Sequence, residues 1–188
     1  MTAKATITAK EALAKLKEGN KTYLDAKTNP GDISPTIREK TTKEGQFPYA
    51  IVVTCSDSRV VPEAIFSAGI GELFVIRVAG FVIDKHQLGS IEYAADHLGT
   101  PLVLVLGHTN CGAVGAALSA HGHTDGCVGS IIEEIHKAIG TETNPDKAVE
   151  LNVKHSKAAV EKALGQSLPI TVVGAVYHID SGKVEFME

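Results

Sequence analysis

Unbroken apolar runs set the pattern of the chain. Tyr49–Val53 closes on Thr54, and Leu102–Leu106 closes on Gly107. Both are short, rich in branched residues and free of polar alternation, which marks strands buried on both faces of a parallel sheet. Glu72–Val78 and Ile170–Tyr177 have the same character. Between these runs the apolar spacing turns helical. Thr8-Ala9-Lys10-Glu11 reads as a capping box, and Leu13, Leu16, Tyr23 and Leu24 then give one apolar face to about Ala26. Asn29-Pro30-Gly31-Asp32 breaks the chain, and Ser34-Pro35 supplies an N-cap and first-turn proline for a helix to about Lys43. Further helices are predicted from Pro62 to near Gly69, over Gln87–Leu98, Gly112–Ala120 and Val128–Ile139, and from Asn144-Pro145 to about Leu164. Asp180-Ser181-Gly182 is a tight turn, after which Lys183–Phe186 returns as an edge strand.

Strands alternating with helices predict an α/β fold, a mostly parallel sheet with right-handed crossovers. No repeat, low-complexity tract or linker interrupts it, so residues 1–188 read as one domain, with residues 1–45 as a helical arm. The first helix either covers its own sheet or packs on a partner subunit; its pattern fits both.

Composition narrows the function. A chain of 188 residues suffices for one well-buried core. The net charge of −4 leaves no basic footprint, which argues against nucleic acid as a partner. No apolar run is long enough to span a bilayer, and Met1–Thr6 lacks the apolar core of a signal peptide, so a cytoplasmic location is expected. Three cysteines do not suggest a disulfide framework. Cys127 reads as a free thiol, and His121-Gly122-His123 as part of a solvated loop.

The chemistry lies where the two central runs stop. Cys55-Ser56-Asp57-Ser58-Arg59 follows the first, and His108-Thr109-Asn110-Cys111 follows the second. The carboxyl edge of an α/β sheet is where ligands bind. Cys55, His108 and Cys111 converging there would make a Cys₂His set suited to Zn²⁺. Three protein ligands leave a tetrahedral position open, and an open zinc polarises water towards hydroxide near neutral pH. Asp57 beside Arg59 would stay ionised and aim a hydrogen bond at the nucleophile. The same residues also permit a staple in which Asp57 fills the fourth position, and permit the cysteines to be small buried hydrophobes. A cysteine-phosphatase loop fits poorly, because Arg59 comes too soon after Cys55 and position 61 is Val61.

The two clusters together resemble the signature of the β-class carbonic anhydrases. The resemblance continues through Val60-Val61-Pro62-Glu63, Gly71–Arg77, Ser90–Ala94 and Gly112-Ala113-Val114, and covers roughly residues 8 to 187. It implies Cys55, His108 and Cys111 as zinc ligands and Asp57–Arg59 as the catalytic dyad. It implies Gln46 as a hydrogen-bond partner of substrate, Phe74, Ala79 and Tyr93 as an apolar carbon dioxide pocket, and Gly112 as a backbone N–H facing bicarbonate. The implied sheet order is 2-1-3-4 plus an edge strand. The implied assembly is a homodimer or larger, with the active site near the subunit interface. Two departures stand out. Phe81 follows Ala79-Gly80 where many members carry Asn. Val52 replaces the tryptophan of an inhibitory bicarbonate site found in one bacterial subgroup, although Val60, Arg77 and Tyr177 match other parts of that site. The expected activity is reversible hydration of carbon dioxide. Hydrolysis of carbon disulfide or carbonyl sulfide on the same fold, and a non-catalytic zinc-stapled binding module, are the alternatives.

Overall fold

A computed structural model describes residues 7–120 and 125–187 of the chain. The expectations for residues 1–6 and for His121-Gly122-His123 lie outside these. Five strands form one sheet: β1 (Ala50–Thr54), β2 (Leu73–Arg77), β3 (Leu102–His108), β4 (Thr171–Tyr177) and β5 (Val184–Phe186). Their order is β2-β1-β3-β4-β5. The first four are parallel, and β5 returns antiparallel along β4. All residues of β1 and β3 are buried, as their unbroken apolar pattern requires of strands covered on both faces. Chain order reverses between these two central strands, which opens a crevice at their carboxyl ends.

Helices cover both faces. One carries α4 (Lys85–His97), α5 (Gly112–Ser119), α6 (Gly126–Ile139) and α7 (Pro145–Leu164), packed over Ile51, Val53, Val103 and Val105. The other carries α1 (Ala9–Asp25) and α3 (Pro62–Ile65), over Val52, Leu104 and Leu106. The alternation of strand side chains sends neighbours to opposite layers. In α1 the capping box of Thr8 and Glu11 is formed, and Ala12, Leu16 and Asn20 are buried. Burying a leucine such as Leu16 contributes about 2 kcal/mol. Gly19 has a steric reason: a Cβ there would lie 2.0 Å from the Phe66 carbonyl oxygen, so only glycine lets the helix dock this closely. Within the chain, therefore, α1 covers its own sheet. The following α2 (Pro35–Glu44) buries no residue, and Ile33 and Phe47 beside it are 68% and 62% exposed.

Element limits differ from the sequence reading at three places that matter. Strand β3 runs on to His108, so this histidine ends the strand rather than following it. Helix α4 starts at Lys85 because Asp84 and Gln87 form a second capping box. Ala79–Phe81 is a 3₁₀ turn with Gly80 at φ 68° and Phe81 at φ 45°. A bulky residue in the left-handed region costs about 1–2 kcal/mol, so the surroundings must hold it there.

Candidate metal centre

The two central strands deliver the ligands. The Thr54 hydroxyl donates to the Leu106 carbonyl at 2.8 Å, which locks the ends of β1 and β3 together. Cys55 follows at once. The loop after it is held by Arg77, at the end of β2, whose Nε donates to the Cys55 carbonyl at 3.1 Å and Nη2 to the Asp57 carbonyl at 2.7 Å. On the other side, Asn110 adopts φ 54°, a conformation asparagine tolerates, and turns the chain from β3 into α5. Cys111 is the N-cap of that helix. The Sγ atoms of Cys55 and Cys111 and one ring nitrogen of His108 thereby come within 4.8 Å of one another, and all three residues are buried.

The histidine is set up to ligate. Its Nδ1 lies 2.9 Å from the Thr109 carbonyl oxygen. A carbonyl only accepts, so Nδ1 carries the hydrogen and Nε2 presents a lone pair. That Nε2 is buried with no partner among the described residues. A buried nitrogen without a partner is costly, and a cation supplies the missing interaction. The thiols agree. The neighbouring Cys111 thiol draws the Cys55 pKa down; burial opposes this, and the Gly80 N–H assists it. The same contact pushes Cys111 up, with burial adding to the rise. Together the pair holds one negative charge readily, and a second thiolate requires a cation between them. A tetrahedral zinc spaces its ligand atoms roughly 3.4–3.8 Å apart, inside the separation found. Cys55, His108 and Cys111 thus fit a zinc ion.

Asp57 sits beside this set. Arg59 grips both of its carboxylate oxygens, Nε to Oδ1 at 2.9 Å and Nη2 to Oδ2 at 2.7 Å, and the Arg59 N–H adds a third bond to Oδ1 at 2.9 Å. The guanidinium also donates to the Asn110 carbonyl at 3.2 Å, bridging the two ligand loops. The Arg59 hydrogen bonds hold the Asp57 carboxyl far below the usual carboxylate range, outweighing burial that pushes it up. The group is ionised throughout the neutral range.

The remaining residues singled out in the sequence divide into two sets. Ala79 starts the turn whose Gly80 N–H donates to Cys55 Sγ at 3.4 Å, and Gly112 opens α5 directly after Cys111. Both flank the ligands. Gln46, Phe74 and Tyr93 do not reach them in the same chain. Gln46 is exposed and precedes β1, at the amino end of the strand whose carboxyl end leads to Cys55. Five residues of strand separate the two by roughly 16 Å. Phe74 pairs in register with Ile51, well down the sheet, and its ring lies 6.2 Å from that of Tyr93, which is 48% exposed. Val52, which stands where the inhibitory site has its tryptophan, is buried in the core with the matching Val60, and the matching Tyr177 is buried with its hydroxyl 3.3 Å from that of Tyr23.

Sequence reasoning passed over Asn152 and Ser156 of α7. Both are 1% exposed, and they donate to the carbonyls of Gly80 and Phe81. Their signal was two polar residues one turn apart on an apolar stripe with Ala148, Val149, Val153 and Val160.

An α/β sheet presenting a buried Cys₂His set at its central carboxyl edge, with a clamped aspartate alongside, defines a class of metal-dependent enzyme centre. Comparison with known proteins agrees. The carbonic anhydrase family profile matches residues 50–184. Carbonic anhydrase 2 of Mycobacterium tuberculosis is 37% identical over 185 residues, covering 89% of this chain and 87% of the relative. The β-carbonic anhydrase of Coccomyxa, solved with acetazolamide, superposes with a TM-score of 0.66 at 30% identity, over 83% of this chain and 86% of that one. One of two tetrameric β-carbonic anhydrases of Sordaria macrospora shares the fold, with a TM-score of 0.68 at 21% identity over 82% of this chain and 87% of that one. The chain belongs to the carbonic anhydrase family, in its β class.

Proposed function

We propose that this protein catalyses the reversible hydration of carbon dioxide to bicarbonate and a proton, with zinc held by Cys55, His108 and Cys111. The observation that carries the reading is the buried triad, with the lone pair of His108 Nε2 unmet beside two thiols. Bound zinc supplies a Lewis acid that brings the pKa of water towards neutrality. The chain's own residues do the rest. Arg59 keeps Asp57 ionised and pinned, so one carboxylate oxygen accepts a hydrogen bond from the attacking water and turns its lone pair towards the substrate carbon. Because Arg59 already occupies both oxygens, Asp57 is held back from becoming a ligand itself. The Gly112 N–H, at the positive end of α5 directly after Cys111, would stabilise the charge that develops on the product anion.

Gln46, Phe74 and Tyr93 complete the pocket only if a second subunit brings them. Their distance from the ligands within one chain supports a homodimer, or a larger homo-oligomer, in which this set serves the neighbour's metal. The exposed Ile33 and Phe47 beside the unburied α2 offer an apolar surface for that contact. No helix among the described residues is long and apolar enough to cross a membrane. The free thiol of the exposed Cys127 fits a reducing compartment, and we place the protein in the cytoplasm.

A staple in which Asp57 fills the fourth position is disfavoured, because Arg59 holds both of its carboxylate oxygens. The test is stopped-flow hydration with zinc quantified on the same sample, and with carbon disulfide as the competing substrate. Hydration with one zinc per chain is the expected result. Stoichiometric zinc without hydration, or turnover of carbon disulfide alone, would overturn the reading.

A further inference from the structure

We propose that Asn152 and Ser156 are positioning residues for the metal centre, holding the Ala79–Phe81 turn so that the Gly80 N–H stays on the Cys55 sulfur. This rests on the zinc reading above and extends it to a helix that contributes no ligand. Asn152 Nδ2 donates to the Gly80 carbonyl at 2.8 Å, and Ser156 Oγ donates to the Phe81 carbonyl at 3.1 Å. The two side chains are four residues apart, so they project from one face of α7 and tether two consecutive carbonyls. The tethered segment is strained at Phe81, a bulky residue held at φ 45°. A strained turn persists only when its surroundings over-determine it. Here the tethers fix the peptide planes on either side of Phe81, and the Gly80 N–H is left aimed at Cys55 Sγ at 3.4 Å.

Packing alone does not explain the asparagine. Asn152 is 1% exposed, yet its Oδ1 finds no donor among the described residues. A leucine of similar shape would carry no unmet acceptor of its own, but would leave the buried Gly80 carbonyl without its donor. What the amide supplies is its donor to Gly80. The consequence for the metal is electronic as well as geometric. An N–H on a thiolate draws charge from sulfur, and partners of this kind commonly change metal affinity by about 10–100-fold.

The test uses the full-length chain loaded with Co²⁺, reading the thiolate-to-cobalt charge-transfer band, and zinc competition against a chromophoric chelator. Losing the N–H···S bond raises the energy of the sulfur electrons and moves the band to longer wavelength. Asn152→Leu should shift it that way and weaken zinc about tenfold. Ser156→Ala should shift it in the same direction by less, and Ser156→Thr, which keeps the hydroxyl, should restore the wild-type position. Folded Asn152→Leu and Ser156→Ala with unmoved bands and unchanged zinc affinity would overturn the inference and leave the pair as turn anchors only. If Asn152→Leu does not fold, Ser156→Ala against Ser156→Thr decides, since each changes a single small group. A wild-type chain that shows no thiolate–cobalt band would refute the metal reading itself and take the inference down with it.

Discussion

Arg77 donates from Nε to the carbonyl oxygen of Cys55, 3.1 Å away, so the outer strand β2 fixes the backbone of a ligand carried by β1. A second bond, from Nη2 to the Asp57 carbonyl, extends the same grip past the ligand to the dyad. Two carbonyls at different angles need a forked donor. Arg77→Lys keeps the charge and loses the fork. It should weaken zinc by about tenfold in chelator competition, with secondary structure unchanged by circular dichroism.

Ligands and dyad separate by what each loses. Cys55→Ser, His108→Ala and Cys111→Ser should each emerge from mild chelator dialysis without zinc, because three donors carry no redundancy. Asp57→Asn should retain zinc and lose about a hundredfold in hydration, since an amide is a poor substitute for a charged acceptor. Metal analysis and stopped-flow rates on the same samples distinguish the two groups.

Assembly has a direct test in mixing. A Gln46→Ala chain and a His108→Ala chain should each be weakly active alone. Refolded together, half the dimers are mixed, and each mixed dimer contains one intact site. Activity should recover to about a quarter of wild type. No recovery on mixing would place Gln46 outside the neighbour's site.

Glu72 gives a pH-dependent stability. Burial pushes its carboxyl up, but the Gly69 N–H at 2.7 Å and Lys15 at 2.6 Å outweigh it, and the net shift is downward. A depressed carboxyl pKa adds stability above the unfolded value of about 4.3, and that contribution is lost as pH falls through the folded value. Both partners of the ion pair are close to half exposed, so solvent screening discounts it. Glu72→Gln should cost about 1 kcal/mol in urea unfolding at neutral pH, the gap closing as pH falls through the folded value.

Asn20 ties the first helix to the last hairpin. Its Nδ2 donates to the carbonyls of Ile65 and Gly182 at 3.2 and 3.0 Å, and its Oδ1 accepts from the Val184 N–H at 2.9 Å. Asn20→Ala strands these buried groups and should cost about 3 kcal/mol, read as a lower thermal midpoint. Zinc content in the folded protein should not change.

What the sequence disclosed follows from the range of each signal. The unbroken runs at Tyr49–Val53 and Leu102–Leu106 announce buried strands because burial on both faces leaves no polar position to alternate. Cys55 and His108 were legible for a related reason, being polar or soft residues placed where such runs stop. Asn152 and Ser156 were not, because a helix pattern says that a residue faces the core without saying which carbonyl it meets there. Arg77 carried the same ambiguity. Phe81 has no local signal for a left-handed conformation, which the turn imposes through Ser156 and the Val78 carbonyl. For Gln46, Phe74 and Tyr93 the family resemblance indicated a role, but spacing within one chain could not show that they lie away from that chain's own ligands.

The centrality of β1 and β3 also bears on how long a metal stays bound. Each lies inside the sheet, flanked by β2 and β4, while the unpaired sides of β2 and β5 are the edges open to fraying. Local opening begins at such edges and termini, and reaches the middle of a sheet only by near-global unfolding. The strand ends that carry Cys55 and His108 are held together by the Thr54–Leu106 bond, so parting those ends means separating the two middle strands. Loss of metal by way of strand separation is therefore as rare as unfolding of the sheet itself.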